Sequence, residues 1–204
     1  MKITKVNEPW PYLIIDDTFP QDVFDELKKE VDKRLAFMDP RQSVEHYELS
    51  DVDFHEIPSA KRMLDSYNVR DLIEMFDQKR SLKPASEMIR SCQVSMSRNY
   101  VCPVHDESFR KILSSVTYLG PEKSTGTLIY RTETEYVTEI EWKPNRSIVF
   151  CGINDVTWHG YKADDEVRIT LNQFLYDPDV KPYRPPNQNN VYDVDMLRKM
   201  GYDV

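Results

Sequence analysis

The stretch Tyr100-Val101-Cys102-Pro103-Val104-His105-Asp106-Glu107 contains a His-x-Glu, and Thr157-Trp158-His159-Gly160 supplies a second histidine 54 positions after His105. Nine residues beyond His159, Arg168 interrupts the apolar run Val167-Arg168-Ile169-Thr170-Leu171. Two imidazoles and one carboxylate make a facial ligand set, which suits non-haem Fe(II) and leaves coordination positions open. A guanidinium further along can grip the carboxylate of a co-substrate with two parallel hydrogen bonds. On a strand, residues two apart face the same side, so His105 and Glu107 reach one ion while Asp106 points away. By the same parity Thr170 shares a face with Arg168, and the two can hold one carboxylate. Each part also has a plainer reading: a solvated polar loop for His-x-Glu, a packed histidine for His159, a solvent-facing edge-strand arginine for Arg168. An arginine buried in an apolar strand without a partner is costly, so Arg168 weighs most.

Those side chains need a scaffold, and the chain spells one out. Tyr12-Leu13-Ile14-Ile15-Asp16-Asp17 reads as a strand. After Thr18-Phe19-Pro20, Val23, Phe24, Leu27, Val31 and Leu35 mark one buried helix face, and Asp39-Pro40 ends it. Residues 40–60, with His46 and His55, are polar and without period; they read as a loop whose histidines are at the surface, or as a lid. A second helix is expected over 59–78, on Met63, Leu64, Tyr67, Leu72, Ile73 and Phe76. From residue 88 the pattern changes to strands: 89–97, 112–119, 126–131, 136–142, 147–151 and 167–176. Turns at Gly120-Pro121 and Lys143-Pro144-Asn145-Arg146 separate them. Helices first and strands afterwards argue for an antiparallel sandwich or barrel, mainly β with N-terminal helices, and against alternating βαβ units. Past Tyr176 the core pattern stops; Asp177-Pro178 and Arg184-Pro185-Pro186 read as linker, and 192–200 as a short amphipathic helix.

Composition bounds the function. The chain has 204 residues, enough for one domain with a real core, and 40% hydrophobic with 30% charged residues suits a soluble globular protein. A net charge of −8 repels nucleic acid, and no basic run exceeds a pair. Three cysteines at irregular spacing read as reduced thiols in a cytoplasmic setting. No apolar run is long enough to span a bilayer. The oligomeric state is not legible.

The whole array resembles the Fe(II)- and 2-oxoglutarate-dependent dioxygenases, in particular their prolyl-hydroxylase-like branch. The matching residues are His105-Asp106-Glu107, Thr117-Tyr118-Leu119, Gly126-Thr127, His159 and Arg168, with 12–35 similar to the family's N-terminal start. The resemblance implies a double-stranded β-helix (jelly-roll) core over 88–176 within a single domain of residues 1–176. The helical part of that domain covers about 18–80, and 177–204 form a C-terminal extension. It implies Fe(II) at His105, Glu107 and His159, and 2-oxoglutarate held by Arg168 with help from Thr170 or Thr117, with Tyr100 a further candidate. The implied reaction uses O2 to hydroxylate a substrate, with release of succinate and CO2. Two departures stand out: Glu107 occupies a place where Asp is commoner, and Val101-Cys102-Pro103 replaces a glycine-containing turn. A retained carboxylate favours hydroxylation over halogenation. The implied substrate is a peptide or protein, or a small molecule.

Two rivals are set against this. A zinc hydrolase of the His2Glu kind expects His-Glu-x-x-His on a helix, which is absent, and has no need of Arg168. A jelly-roll module that binds without catalysis is the stronger alternative, since fold alone does not make an enzyme.

Overall fold

Alternating apolar and polar residues need two surfaces to face, and here they have them. The computed structural model describes residues 1–35, 43–48, 76, 89–107, 111–153 and 155–176. Among them the element order is β1 (Lys2–Val6), β2 (Tyr12–Asp16), α1 (Gln21–Leu35), β3 (Val44–Glu48), β4 (Ile89–Ser97) and β5 (Tyr100–His105). There follow β6 (Lys111–Gly120), β7 (Thr127–Tyr130), β8 (Tyr136–Glu139), β9 (Ser147–Phe150), β10 (His159–Ala163) and β11 (Arg168–Tyr176). Seven strands form one sheet in the order β1-β2-β9-β6-β11-β4-β3, and four form a second, β5-β10-β7-β8. All pairings are antiparallel. From β4 to β7 the chain crosses sheets at every strand, and it does so again from β8 to β11.

The larger sheet buries both faces. Its outer face carries Leu13, Ile15, Val94, Met96, Leu113, Leu119, Val149, Ile169 and Leu171, packed with Val23, Phe24, Leu27 and Val31 of α1 and with Phe76. The helical period seen in the sequence is thus spent on this sheet. Asn145, buried and at φ 64, fixes where the helix starts. Its side chain accepts from Phe19 N at 2.9 Å and donates to Phe19 O at 2.8 Å. Between the sheets lie Trp10, Tyr12, Tyr118, Ile129, Ile140, Trp142, Ile148 and Phe150. This apolar filling stops short of β4 and β11, where buried Ser95, Ser97, Arg168 and Thr170 occur instead. A sandwich interior that turns polar at one end is the setting of the candidate site.

Several elements differ from the sequence-based expectation. β1 and β3 are edge strands of the larger sheet, and β3 falls in a segment expected to be loop. β10 was not expected either, because Gly160 and Lys162 break any alternation. The strands expected over 126–131 and 136–142 are shorter, Thr127–Tyr130 and Tyr136–Glu139. The second expected helix (except Phe76), the proposed lid apart from residues 43–48, and the extension 177–204 lie outside the described residues.

Candidate active site

β10 lies between β5 and β7, and its register sets His159 directly opposite His105. The pairing shifts between His159 and Tyr161, a bulge that re-aims β10 at this point. Gly160 permits the close approach, since a Cβ there would stand 3.1 Å from Cys102 O. The two imidazole rings are 4.4 Å apart, centroid to centroid. Each ring uses Nδ1 in the same way: His105 Nδ1 donates to Pro103 O, and His159 Nδ1 to Thr157 O, both at 2.8 Å. A carbonyl can only accept, so Nδ1 carries the hydrogen, and Nε2 of the neutral ring keeps a lone pair. Burial first, and the neighbouring His105 second, push His159 down to about 4, so its ring is neutral at physiological pH.

Glu107 is brought to the same place, though not by the expected route. β5 ends at His105, so strand parity does not carry through to Glu107. His105 is exposed, whereas Glu107 is 3% exposed. Its Oε1 lies 3.9 Å from His159 Nε2 and accepts from Ser114 Oγ at 2.5 Å; its Oε2 pairs with Lys111 Nζ at 2.8 Å. Burial, the largest single influence, would raise this carboxyl, but the Lys111 ammonium, His159 and the Ser114 hydrogen bond together hold the group at about 2. Asp106 does turn elsewhere: its Oδ2 accepts from Asp155 N at 2.8 Å.

Arg168 sits on β11 between β6 and β4, not on an edge, and is 2% exposed. Its Nε donates to Thr125 O at 3.1 Å. Among the described residues no carboxylate is paired with it. Three aromatic rings surround the guanidinium instead, with centroids 4.2 Å (Tyr161), 5.2 Å (Trp142) and 5.7 Å (Tyr118) from its central carbon. Tyr161 OH is fixed by Ser97 Oγ at 2.9 Å, and Tyr118 OH donates to Thr127 Oγ1 at 3.0 Å. Desolvation raises both phenols, so neither supplies the missing negative charge. Thr170 is buried on the same strand, two residues from Arg168 and opposite Tyr118 and Ser95.

Thr117 is a correction. It pairs with Leu171 and Ser147, on the helix-facing side of β6, and its hydroxyl joins Ser147 Oγ at 2.6 Å, which in turn meets Thr18 Oγ1 at 2.8 Å. It faces away from Arg168, whereas the ring of its neighbour Tyr118 lies on the arginine's side. Tyr100 is half-buried at the start of β5, its ring 6.0 Å from that of Tyr161, which itself packs on the Arg168 guanidinium. Lys111, Trp142 and Tyr161 were not anticipated. For Tyr161 a signal existed: it lies two residues after His159, on one strand.

Whether these side chains fit an iron ion can be judged from their chemistry. Two imidazole Nε2 atoms, left available by the hydrogen bonds at Nδ1, and one carboxylate are the donors Fe(II) takes. Cis ligands each about 2.1 Å from a shared metal lie about 3 Å apart. The 3.9 Å between His159 Nε2 and Glu107 Oε1 is therefore an open stance, and no three described His, Cys, Asp or Glu side chains yet close on one point. The shortfall of roughly 1 Å is within the swing of a glutamate side chain. The donor set fits.

No protein-family model matches the chain, and no curated protein matches it by sequence. Solved structures do. A viral collagen prolyl hydroxylase from Paramecium Bursaria Chlorella virus-1, in a 2-oxoglutarate complex, is 14% identical with a TM-score of 0.57, over 83% of this chain and 96% of that one. A prolyl hydroxylase from Trichoplax adhaerens, bound to a hypoxia-inducible-factor peptide fragment, is 15% identical with a TM-score of 0.61, over 81% and 83%. The non-haem alpha-ketoglutarate-dependent carbocyclase SnoK of nogalamycin biosynthesis is 12% identical with a TM-score of 0.60, over 92% and 85%. What the chain shares with all three, at such identity, is their fold.

Proposed function

We propose that this chain, built on the fold of the 2-oxoglutarate- and iron-dependent oxygenases, is itself such an enzyme, of the prolyl-hydroxylase-like kind. The observation that carries the reading is Arg168. A guanidinium stays charged in proteins and is costly to bury alone, yet this one is enclosed by aromatic rings, and among the described residues no carboxylate pairs with it. A bound carboxylate would supply that partner. The winding of the strands between two sheets supports a double-stranded β-helix, whose open end holds the site, within a single domain of residues 1–176.

In this reading His105, His159 and Glu107 hold Fe(II). Arg168 grips the distal carboxylate of 2-oxoglutarate, with the Thr170 hydroxyl beside it and Tyr100 more remote. Bound iron, with 2-oxoglutarate and O2, supplies oxidative decarboxylation to succinate and CO2, coupled to hydroxylation of the substrate. The residues of the chain do the rest. Pro103 O and Thr157 O hold each imidazole in the tautomer that offers Nε2, and Tyr118, Trp142 and Tyr161 keep water from the guanidinium, which strengthens its hold on a carboxylate. The substrate class is a peptide or protein, or a small molecule. Similar folds are seen with a hypoxia-inducible-factor fragment and in nogalamycin biosynthesis, and a net charge of −8 disfavours nucleic acid. Three free cysteines suit a reducing, cytoplasmic environment; the described helix is not long and apolar enough to cross a membrane.

The test is anaerobic addition of Fe(II) and 2-oxoglutarate. The wild type should develop the weak visible charge-transfer band of the chelate and release succinate once O2 is admitted; His159→Ala should do neither. A wild type without the band leaves only a binding module.

A further inference from the structure

Glu107 is held by two different partners on its two oxygens. Oε1 faces His159 Nε2 and takes the Ser114 hydroxyl; Oε2 is bound by Lys111 Nζ at 2.8 Å. The ammonium is itself seated, 3.9 Å from the centroid of the Phe174 ring. Cation–π contact and ion pair together fix a side chain that would otherwise be mobile. A glutamate carboxylate can bind a metal through one oxygen or through both. With two imidazoles and a two-point keto-acid chelate on an octahedral ion, a second glutamate oxygen would occupy the last position. The chain faces that choice because the long arm of glutamate lets the carboxylate rotate.

We infer that Lys111 is a positioning residue that occupies Oε2 of Glu107, restricts the carboxylate to one-oxygen coordination, and so keeps one iron position open. This rests on the oxygenase reading. Ser114 does not substitute for it, since its hydrogen bond goes to Oε1, the coordinating atom. Lys111→Met keeps the length of the side chain and its packing on Phe174 and removes only the charge and the donor; Lys111→Arg restores both.

The probe is nitric oxide, added anaerobically to the protein loaded with Fe(II) and 2-oxoglutarate and followed by electron paramagnetic resonance. Wild type and Lys111→Arg should take up nitric oxide alike. Lys111→Met, with its visible chelate band intact, should bind it about 10- to 100-fold more weakly, the usual effect of losing a group that orients a ligand. Equal nitric oxide affinity in Lys111→Met and wild type, both with the band, overturns the role of Lys111 and leaves the oxygenase reading standing. A folded Lys111→Met that holds no iron also overturns it, because Lys111 would then be needed for the metal and not for the open position. A wild type with no band removes the reading and this inference together. Should Lys111→Met fail to fold, Lys111→Leu, which likewise lacks the charge and the donor, carries the same comparison.

Discussion

At the scale of single residues the balance at Arg168 is unusual. Its enclosure yields a few cation–π contacts and one backbone hydrogen bond, against a desolvation penalty of several kcal/mol. Arg168→Met should therefore change the stability of the ligand-free protein by no more than about 1 kcal/mol in either direction. In the wild type, anaerobic Fe(II) with 2-oxoglutarate at a hundred times its Kd should add about 2.7 kcal/mol, and Arg168→Met should lose most of that gain. Calorimetric unfolding with and without the ligand measures both; an unchanged ligand effect in the variant would sink the assignment. Arg168 was legible in the sequence because a charge inside an apolar strand is conspicuous. Thr117 and Tyr118 were not separable, since adjacent strand residues face opposite sides and only register says which. Lys111 gave no signal at all: its meaning depends on its ammonium meeting the Glu107 carboxylate, four residues earlier, at 2.8 Å.

At the scale of elements the site depends on how closely β7, β8 and β10 approach their neighbours. A Cβ on Gly126 would stand 1.6 Å from Ile140 O, a backbone atom held in place by the Ile140 N to Thr127 O bond of 2.8 Å. Gly126→Ala must force the two segments apart, and its cost should exceed about 3 kcal/mol in urea unfolding. Gly160→Ala, at 3.1 Å from Cys102 O, should cost distinctly less. A Gly126→Ala protein as stable as wild type would show that this approach is looser than described. β4, β6, β9 and β11 were readable because they are buried and continuously apolar or alternating. β1, β3 and β10 escaped because edge strands and bulged strands carry no such period. The strand that presents His159 was therefore the one least visible in advance.

At the scale of the molecule, β2 and the connection from β8 to β9 are tied by charge. Arg146 Nε donates to Asp16 Oδ1 at 2.6 Å, and Arg146 also reaches Glu141. The hydrogen bond from Arg146 is the largest influence lowering Asp16 below its ordinary carboxylate range. A lowered folded-state value means that the pair stabilises the protein above the unfolded value of about 3.9. That contribution is lost as pH falls through the lower folded value. The stability difference between wild type and Asp16→Asn should accordingly be constant above about pH 5 and shrink in more acid solution. A difference that does not vary with pH would contradict this. Sheet order was beyond sequence reasoning, since β2 meets β9 across more than a hundred residues; the antiparallel class and the core positions were not, because burial imposes them locally.

The ring of aromatics around Arg168 has an optical consequence. Trp142 lies stacked on Tyr118, 4.4 Å between centroids, and within 5.2 Å of the guanidinium. An anion docking on that cation cancels much of the electric field the indole feels. Its emission then becomes an intrinsic gauge of occupancy, with no dye attached.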